Sequence, residues 1–369
     1  MGYSIARIVQ PGKSNTKIAH GERFDIRSCT VSLAASDSAG FNVCPRAMPR
    51  SQIDALRADG QTWEQIAAVA RSRGLSMCTA SCVTNEAGKG AADFVRNPRK
   101  NLTRWYRENR PEFVTHLLDE LRAEIRNAKP GQIVACRPNV DSDVPYERTI
   151  PELFNLPMQF WDYTKVSTRL GKTPANYHLT YSVNDGTQPE DWQRVYDSGC
   201  NIAVVFDTHW QPGGHENGRK FGKLPTWYTD ANGYRWRVVD GDKSDFRFLD
   251  GGPVCVGLRL KGFNFGRWMA RLSGFAQSVP RALRGVLDCA SVQSSVRCGM
   301  RINDAIKELQ ILKKSGVRSV LATWWTADEF SRQDDADWEY DSRSAERHMD
   351  WSLAHDSLSE LIDNSEEEV

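Results

Sequence analysis

Short apolar runs alternate with longer amphipathic or polar stretches through the first 265 residues. Residues 23–33 alternate in character and read as a strand, as do 132–138, 158–165, 176–182, 202–207 and 254–261. The run Ile202-Ala-Val-Val-Phe-Asp207 is apolar enough to be buried on both faces. Between the strands, 97–108 and 111–128 keep helical spacing, the second through Phe113, Leu117, Leu118, Leu121 and Ile125. Pro111 suits its first turn. Residues 189–198 read as a further helix, with a short one near 151–154. Six strands with helices between most of them predict parallel strands and an α/β fold. The architecture expected is a partial (β/α)6 barrel or a TIM-like barrel. A closed eight-stranded form requires 285–287 and 319–325 to join the sheet.

Two regions break the alternation. Residues 51–74 read as an inserted helical hairpin. Ser51 is placed to cap its first helix, Asp59-Gly60 makes the turn, and Thr62 with Gln65 forms a capping box. Ile53, Leu56, Trp63, Ile66 and Ala70 would share a small core. The pair is similar to the helix-turn-helix of DNA-binding proteins, although helical hairpins serve many ends. Residues 208–237 form the second region, where Trp210, Trp227, Tyr228 and Trp236 interleave with Arg219, Lys220, Lys223 and Arg237. That mixture suits single-stranded nucleic acid and, equally, a lid over a site. His209 and His215 lack a regular metal-ligand spacing. The core is expected to span 13–265. An appended α/β segment, 266–327, and an acidic tail, 328–369, follow it.

Composition narrows the class. Of 369 residues, 40% are hydrophobic and 26% charged, as in ordinary soluble proteins. No apolar run approaches the roughly 20 residues that span a bilayer. No apolar leader reads as a signal peptide, so a cytoplasmic protein is expected. The net charge of +1 hides an asymmetry: 15 acids face 3 basic residues in 328–369, a net −12, which leaves +13 for 1–327. A basic body favours contact with nucleic acid, while the same pattern also describes a solvated surface with an acidic end. Nine cysteines without a secretory signal point to metal ligands or core thiols rather than disulfides. Cys136, Cys200, Cys255 and Cys289 sit in or near apolar runs and read as core.

Polar side chains bunch at the C-terminal ends of the expected strands, the face that carries chemistry in β/α barrels. Asp143, Asp162, Tyr163, Lys165 and Asp185 are the catalytic candidates. The carboxylates would orient a hydroxyl or amine, and Tyr163 would donate a proton. Lys165 would meet an anion or, if desolvated, form a Schiff base. A plain Lys–Asp ion pair is the structural alternative. Cys44, Cys78 and Cys82 are the metal-ligand candidates, because three thiolates leave the open position that a catalytic metal or substrate-binding cluster needs. Cys29 is a possible fourth, and a closed four-thiolate site would be structural zinc. Thiols without metal remain a third reading. Asp240, Asp242, Asp245 and Asp250 are dense enough to hold magnesium, but Asp240-Gly241 and Asp250-Gly251 are hairpin signals and turns are the simpler reading.

Several segments carry a resemblance. They are Ser14-Asn-Thr-Lys17, Ser28-Cys-Thr30, Asn42-Val-Cys-Pro45 with the later Cys78-x-x-x-Cys82-Val83, Gly88-Lys-Gly90, Arg137-Pro-Asn139 and Ser142-Asp143. Asp162-Tyr-Thr-Lys165, Val239-Asp-Gly-Asp242, Asp245-x-Arg-Phe-Leu-Asp250 and Gly257-Leu-Arg-Leu-Lys-Gly262 continue the series. Together they resemble the phage gene product 88 family over roughly residues 13–265. The resemblance implies a phage or prophage origin, hence a bacterial host cytoplasm. The insert departs from the family pattern, since it separates Cys44 from Cys78. It must loop out and return if the three thiols are to meet.

A partial barrel with a three-cysteine loop after its first strand also resembles radical S-adenosylmethionine enzymes. That resemblance implies a [4Fe–4S] cluster on Cys44, Cys78 and Cys82, with S-adenosylmethionine on the open iron and Arg137, Asn139 and Lys261 as cofactor-binding residues. The chain departs from that pattern too. Its cysteines are not spaced C-x-x-x-C-x-x-C, and Arg137-Pro-Asn-Val-Asp141 stands where Gly-Gly-Glu would follow the second strand. The leading expectation is an iron–sulfur protein, radical-SAM-like, acting on a nucleotide or nucleic acid. The alternatives are a non-catalytic nucleic-acid-binding protein, with a structural metal or none, and a catalytically inactive barrel scaffold.

Overall fold

The computed structural model describes residues 7–12, 18, 20–82, 92–208, 211–216, 219–220, 222–262 and 264–279. The motifs at 14–17 and 88–90, residues 209–210, Cys289, the helix at 302–314, the strand at 317–325 and the acidic tail lie outside them, as do the side chains of 211–220.

The chain begins with β1 (Gln10–Pro11) and β2 (Ile26–Thr30). Four helices follow: α1 (Arg50–Ala58), α2 (Trp63–Ser72), α3 (Asp93–Glu108) and α4 (Arg110–Arg126). Then come β3 (Ile133–Arg137), the short α5 (Tyr146–Thr149), β4 (Gln159–Thr164), β5 (Tyr177–Ser182), α6 (Pro189–Ser198) and β6 (Ile202–Asp207). A two-stranded ribbon, β7 (Gln211–Glu216) and β8 (Arg219–Lys220), precedes β9 (Trp227–Thr229), β10 (Arg235–Asp240) and β11 (Cys255–Arg259). The last described elements are α7 (Asn264–Ser273) and β12 (Ala276–Ser278).

All six expected strands are present. They lie side by side in chain order, β2-β3-β4-β5-β6-β11, and every pair is parallel. The fold is therefore mixed α/β, built on a ten-stranded, mostly parallel sheet. Helical crossovers are fewer than the pattern predicts. Between β4 and β5 there is only the 3-10 turn Ser167–Arg169, and β6 reaches β11 through strands.

The TIM-like closure does not occur among the described residues. The physical reason lies at the edges. β1 pairs antiparallel with the outer side of β2, and β10 pairs parallel with the outer side of β11, followed by β9. Each exposed edge is thus covered by an added strand rather than by the other edge. The sheet stays open. β5 holds β6 only through Tyr181 and Ser182, and β12 takes that side of β6 from Val205 to Asp207.

Both faces of the central strands are buried, as parallel sheets require. On β4, Phe160 joins the main core with Leu117, Leu121 and Cys136, while Trp161 turns to a second cluster with Ile26, Ala135 and Phe246. Cys136 and Cys255 are core residues as expected, and Cys200 packs against the same core. Cys29, a candidate fourth ligand, is also in this core, in register with Cys136 on the neighbouring strand.

The helical insert forms where the pattern placed it. Thr62 and Gln65 make the capping box, with Thr62 N donating to Gln65 Oε1 at 2.8 Å. Ser51 does not cap α1. Asp37 does so from outside the insert, accepting from Arg50 N at 2.9 Å and from both the N–H and hydroxyl of Ser51. Ile53, Ile66 and Ala70 pack with Met48, Met77 and Met269. Trp63 meets Phe265 and Trp268 of α7 edge-on, with centroids 5.3 and 6.5 Å apart. Each buried Ile adds about 1.5–3 kcal/mol, so the apolar faces of the hairpin are spent on docking to the body.

The insert also loops out and returns. Residues on either side of it pair as a parallel bridge, Ala47 with Ser76. Ser76 N donates to Arg46 O at 2.8 Å and Met48 N to Ser76 O at 2.9 Å. The loop after β5 presses on the returning chain. A Cβ on Gly186 would lie 2.5 Å from the carbonyl of Leu75, so only glycine fits there.

Candidate functional site

At the C-terminal ends of the parallel strands lies a cleft of about 600 Å³. Cys44, Cys78 and Cys82 all line it, although 33 residues separate the first two in the chain. The closed base of the insert brings them together.

Cys44 and Cys78 are positioned by hydrogen bonds. Asn42 Oδ1 accepts from Cys44 N at 2.9 Å, and Ser36 N donates to Cys44 Sγ at 3.3 Å. The 3-10 turn Met77–Thr79 carries Cys78 and is capped by Ser76, whose hydroxyl accepts from Cys78 N at 3.1 Å. Asp185, from the loop after β5, accepts from that hydroxyl and from Met77 N at 2.9 Å. Burial pushes the Cys44 thiol well up, and Cys78 and Cys82 push it further. Both thiols of the second loop thus act on Cys44. Burial also raises Cys78, against which the Lys165 ammonium pulls down. Among the described residues no three His, Cys, Asp or Glu side chains form a group that would hold a single metal ion. The cleft is lined by three thiols, the ligand type of iron–sulfur clusters.

Lys165, just past β4, lines the same cleft. Its backbone N donates to Asp143 Oδ2 at 2.8 Å, and its ammonium stands 5.7 Å from the Phe275 ring centre. Burial pulls its pKa down, but Cys78 first, then Asp143, Cys44 and Cys82, more than offset this and leave it raised. The expected Lys–Asp pair is thus a backbone contact. Asp143 gives its carboxylate to Thr164 Oγ1 at 2.8 Å and to the Arg169 guanidinium. Arg169 is 1% exposed, and Glu147 and the Tyr177 hydroxyl take its remaining donors at 2.9–3.0 Å.

Tyr163 and Arg137 also border the cleft. Both reach Asp245, from the Tyr163 hydroxyl at 3.0 Å and from Arg137 Nη1 at 2.7 Å, and the guanidinium stacks on the phenol ring at 4.8 Å. Burial and then Asp245 push the Tyr163 pKa well up, so the phenol keeps its proton. Arg259 binds Asp240 through both Nη atoms at 2.9–3.1 Å, and Asp242 joins Arg259 to Lys261. The acidic stretch 240–250 thus serves arginines and a lysine. Asp250 accepts from Asn201 Nδ2 at 3.0 Å on a different part of the fold. These four carboxylates do not converge on one point.

The remaining candidates divide as follows. Asn139 lines the cleft but is saturated by its neighbours: it donates to Val144 O and Asp162, and accepts from Ser142 and Val144 N. Asp162 is fully buried behind it, accepting also from the Tyr177 hydroxyl at 2.7 Å. Burial, only partly offset by Arg137, raises its pKa to about 6. Asp185 positions the Cys78 turn and does not line the cleft. Arg259 and Phe275 line it and were not anticipated. For Arg259 a signal existed: in Gly257-Leu-Arg-Leu-Lys261 the two-residue period puts Arg259 on the same side as Lys261. No helix among the described residues is long and apolar enough to cross a membrane.

No curated protein and no solved structure gives a significant match to the chain. The sequence model described as Gene product 88 matches residues 8–279, which takes in every element of the sheet and all three cleft cysteines. The chain belongs to the phage gene product 88 family.

Proposed function

We propose that the cleft is an iron–sulfur site, with Cys44, Cys78 and Cys82 ligating a [4Fe–4S] cluster that keeps one iron free of protein ligands. The observation that carries this reading is the convergence of three thiols, from two loops split by an insert, on one cleft at the strand ends. Cys29, Cys136 and Cys255 by contrast are buried in the core. When bound, such a cluster supplies one-electron chemistry. The chain's own residues do the rest. Lys165 offsets negative charge, Tyr163 holds a proton at the cleft surface, and Arg137, Arg259 and Lys261 form a polar lining fixed by Asp240, Asp242 and Asp245.

A cleft of about 600 Å³ takes a nucleotide-sized molecule rather than a duplex. We read the six consecutive parallel strands as an open (β/α)6 half-barrel and the chain as a radical-SAM-like enzyme, with S-adenosylmethionine as the first ligand to test. A nucleotide or nucleic-acid end is the substrate class proposed.

The test is iron, sulfide and zinc content with a visible spectrum, on protein purified without oxygen. About four irons and four sulfides per chain are expected, and Cys78→Ser should lose them while the far-UV circular dichroism stays unchanged. S-adenosylmethionine should then bind the loaded protein and not the variant. One zinc per chain, or no iron after anaerobic reconstitution, overturns the reading and leaves salt-dependent nucleic-acid binding by the basic body as the property to measure.

A further inference from the structure

Lys165 is a cation in an unusual position. It is partly buried, it lines the cleft with the three cysteines, and among the described residues no carboxylate comes within ion-pair distance of its ammonium. Asp143, the carboxylate that acts on it, is committed to Arg169, to Thr164 Oγ1 and to the Lys165 backbone N–H. The Phe275 ring, 5.7 Å away, offers only a weak cation–π partner. The other cations of the cleft differ: Arg137 has Asp245, Arg259 has Asp240 and Asp242, and Lys261 has Asp242. Withdrawing an ammonium from water without an opposite charge is unfavourable, so a group that keeps its charge here calls for an anionic neighbour. Cys78 acts on the Lys165 ammonium most strongly, followed by Asp143, Cys44 and Cys82. With Asp143 committed elsewhere, the three thiols of the same cleft are the groups left to balance it, and they count as anions only when deprotonated and ligating.

We propose that the Lys165 ammonium is the counter-charge of the anionic centre held by Cys44, Cys78 and Cys82, and that it sets the reduction potential of that centre. This inference rests on the cluster reading above. One-electron reduction adds a negative charge to the centre while the ammonium keeps its proton, so a nearby fixed cation favours the reduced form. Lys165 is in this sense a tuning residue; it does not act as an acid, a base or a nucleophile.

The test is an anaerobic redox titration of the loaded full chain with dithionite as reductant, followed by electron paramagnetic resonance, on wild type, Lys165→Met, Lys165→Gln and Lys165→Arg. The expected result is a more negative midpoint in Lys165→Met. The reduced-to-oxidised ratio at a fixed potential should fall about tenfold, which is about 59 mV for one electron. Lys165→Arg should stay near wild type. Iron loss from Lys165→Met and Lys165→Gln, with Lys165→Arg still loaded, also supports the inference, because the charge is then needed to hold the centre at all. An unchanged midpoint in Lys165→Met overturns it, as does iron loss from Lys165→Arg, which would assign the effect to side-chain shape. Either result leaves the cluster itself standing in the wild type. A wild type without iron fails earlier and sinks both readings.

Discussion

Two cations sit close to Asp143 and live in different surroundings. Arg169 is sealed in the core, where Asp143, Glu147 and the Tyr177 hydroxyl meet its donors. Lys165 lines the cleft together with the three thiols; Cys78 and then Asp143 act most strongly on its ammonium, which makes no ion pair among the described residues. The first arrangement is complete in itself and fixes the ends of β4 and β5 relative to each other. The second, on the reading proposed above, is completed by an anionic centre on the cysteines. A structural charge and a functional charge are therefore told apart here by whether the fold has already supplied the partner.

The sharpest way to break this comparison is to remove the paired cation. Arg169→Met leaves Asp143 and Glu147 buried without their counter-ion, and breaking a buried pair costs about 3–5 kcal/mol. Urea denaturation should show a loss of that size. A loss below about 1 kcal/mol would mean that the Arg169 network is not what organises the strand ends.

Asp162 gives the next largest effect, and it has a sign. Its folded pKa of about 6 lies above the ordinary carboxylate value, because burial outweighs Arg137 and the hydrogen bonds. The folded protein thus keeps a proton that the unfolded chain has already lost, and stability falls as pH rises from about 4 to 6. The decline is on the order of 3 kcal/mol and levels off above the folded pKa. Urea midpoints for wild type and Asp162→Asn across that window check it. A wild-type profile that rises there by the same amount as the variant's would contradict the assignment.

The parts of this site that were legible in the sequence are those with local cause. Buried parallel strands read as apolar runs, so β2 to β6 and β11 were found, with Asp143, Tyr163 and Lys165 near their ends. The capping box at Thr62 is a four-residue signal and formed as read. Edge cover was not legible. β1 is two residues long and β9 three, and strands that short carry no periodicity. The closure of the sheet hung on them. Arg169 gave no sign either, since an arginine in Ser167-Thr-Arg169 looks like any exposed loop cation until Glu147 and Tyr177 are brought to it. Asp185 was read as a catalytic carboxylate because it follows a strand. Its work, accepting from Ser76 and Met77, depends on a contact across 108 residues of chain that no local pattern encodes.

Asp185 itself provides a smaller effect that bears on the cysteine side. Asp185→Ala strips the acceptor from Met77 N and the Ser76 hydroxyl, and an unsatisfied buried donor costs about 1–3 kcal/mol. The Cys78 turn should loosen. Faster alkylation of Cys78 by iodoacetamide in the metal-free protein, followed by peptide mass spectrometry, is the expected result. An unchanged rate would show that the Ala47–Ser76 bridge alone holds the turn.

The smallest effect is the most telling, because it is the mirror of the first. In the metal-free protein Lys165→Met removes a cation that has no carboxylate partner among the described residues and adds apolar surface beside Phe275. The lost favourable contact is weak and the relieved desolvation is unfavourable in the native protein, so the two nearly cancel or leave the variant slightly more stable. The urea midpoint should move by less than about 0.5 kcal/mol, against the several expected for Arg169→Met. With both variants measured without metal, any cluster contribution is absent and only the fold is compared. If Lys165→Met proved as destabilising as Arg169→Met, the ammonium would be serving the fold rather than the cleft, and the division between the two cations would fail.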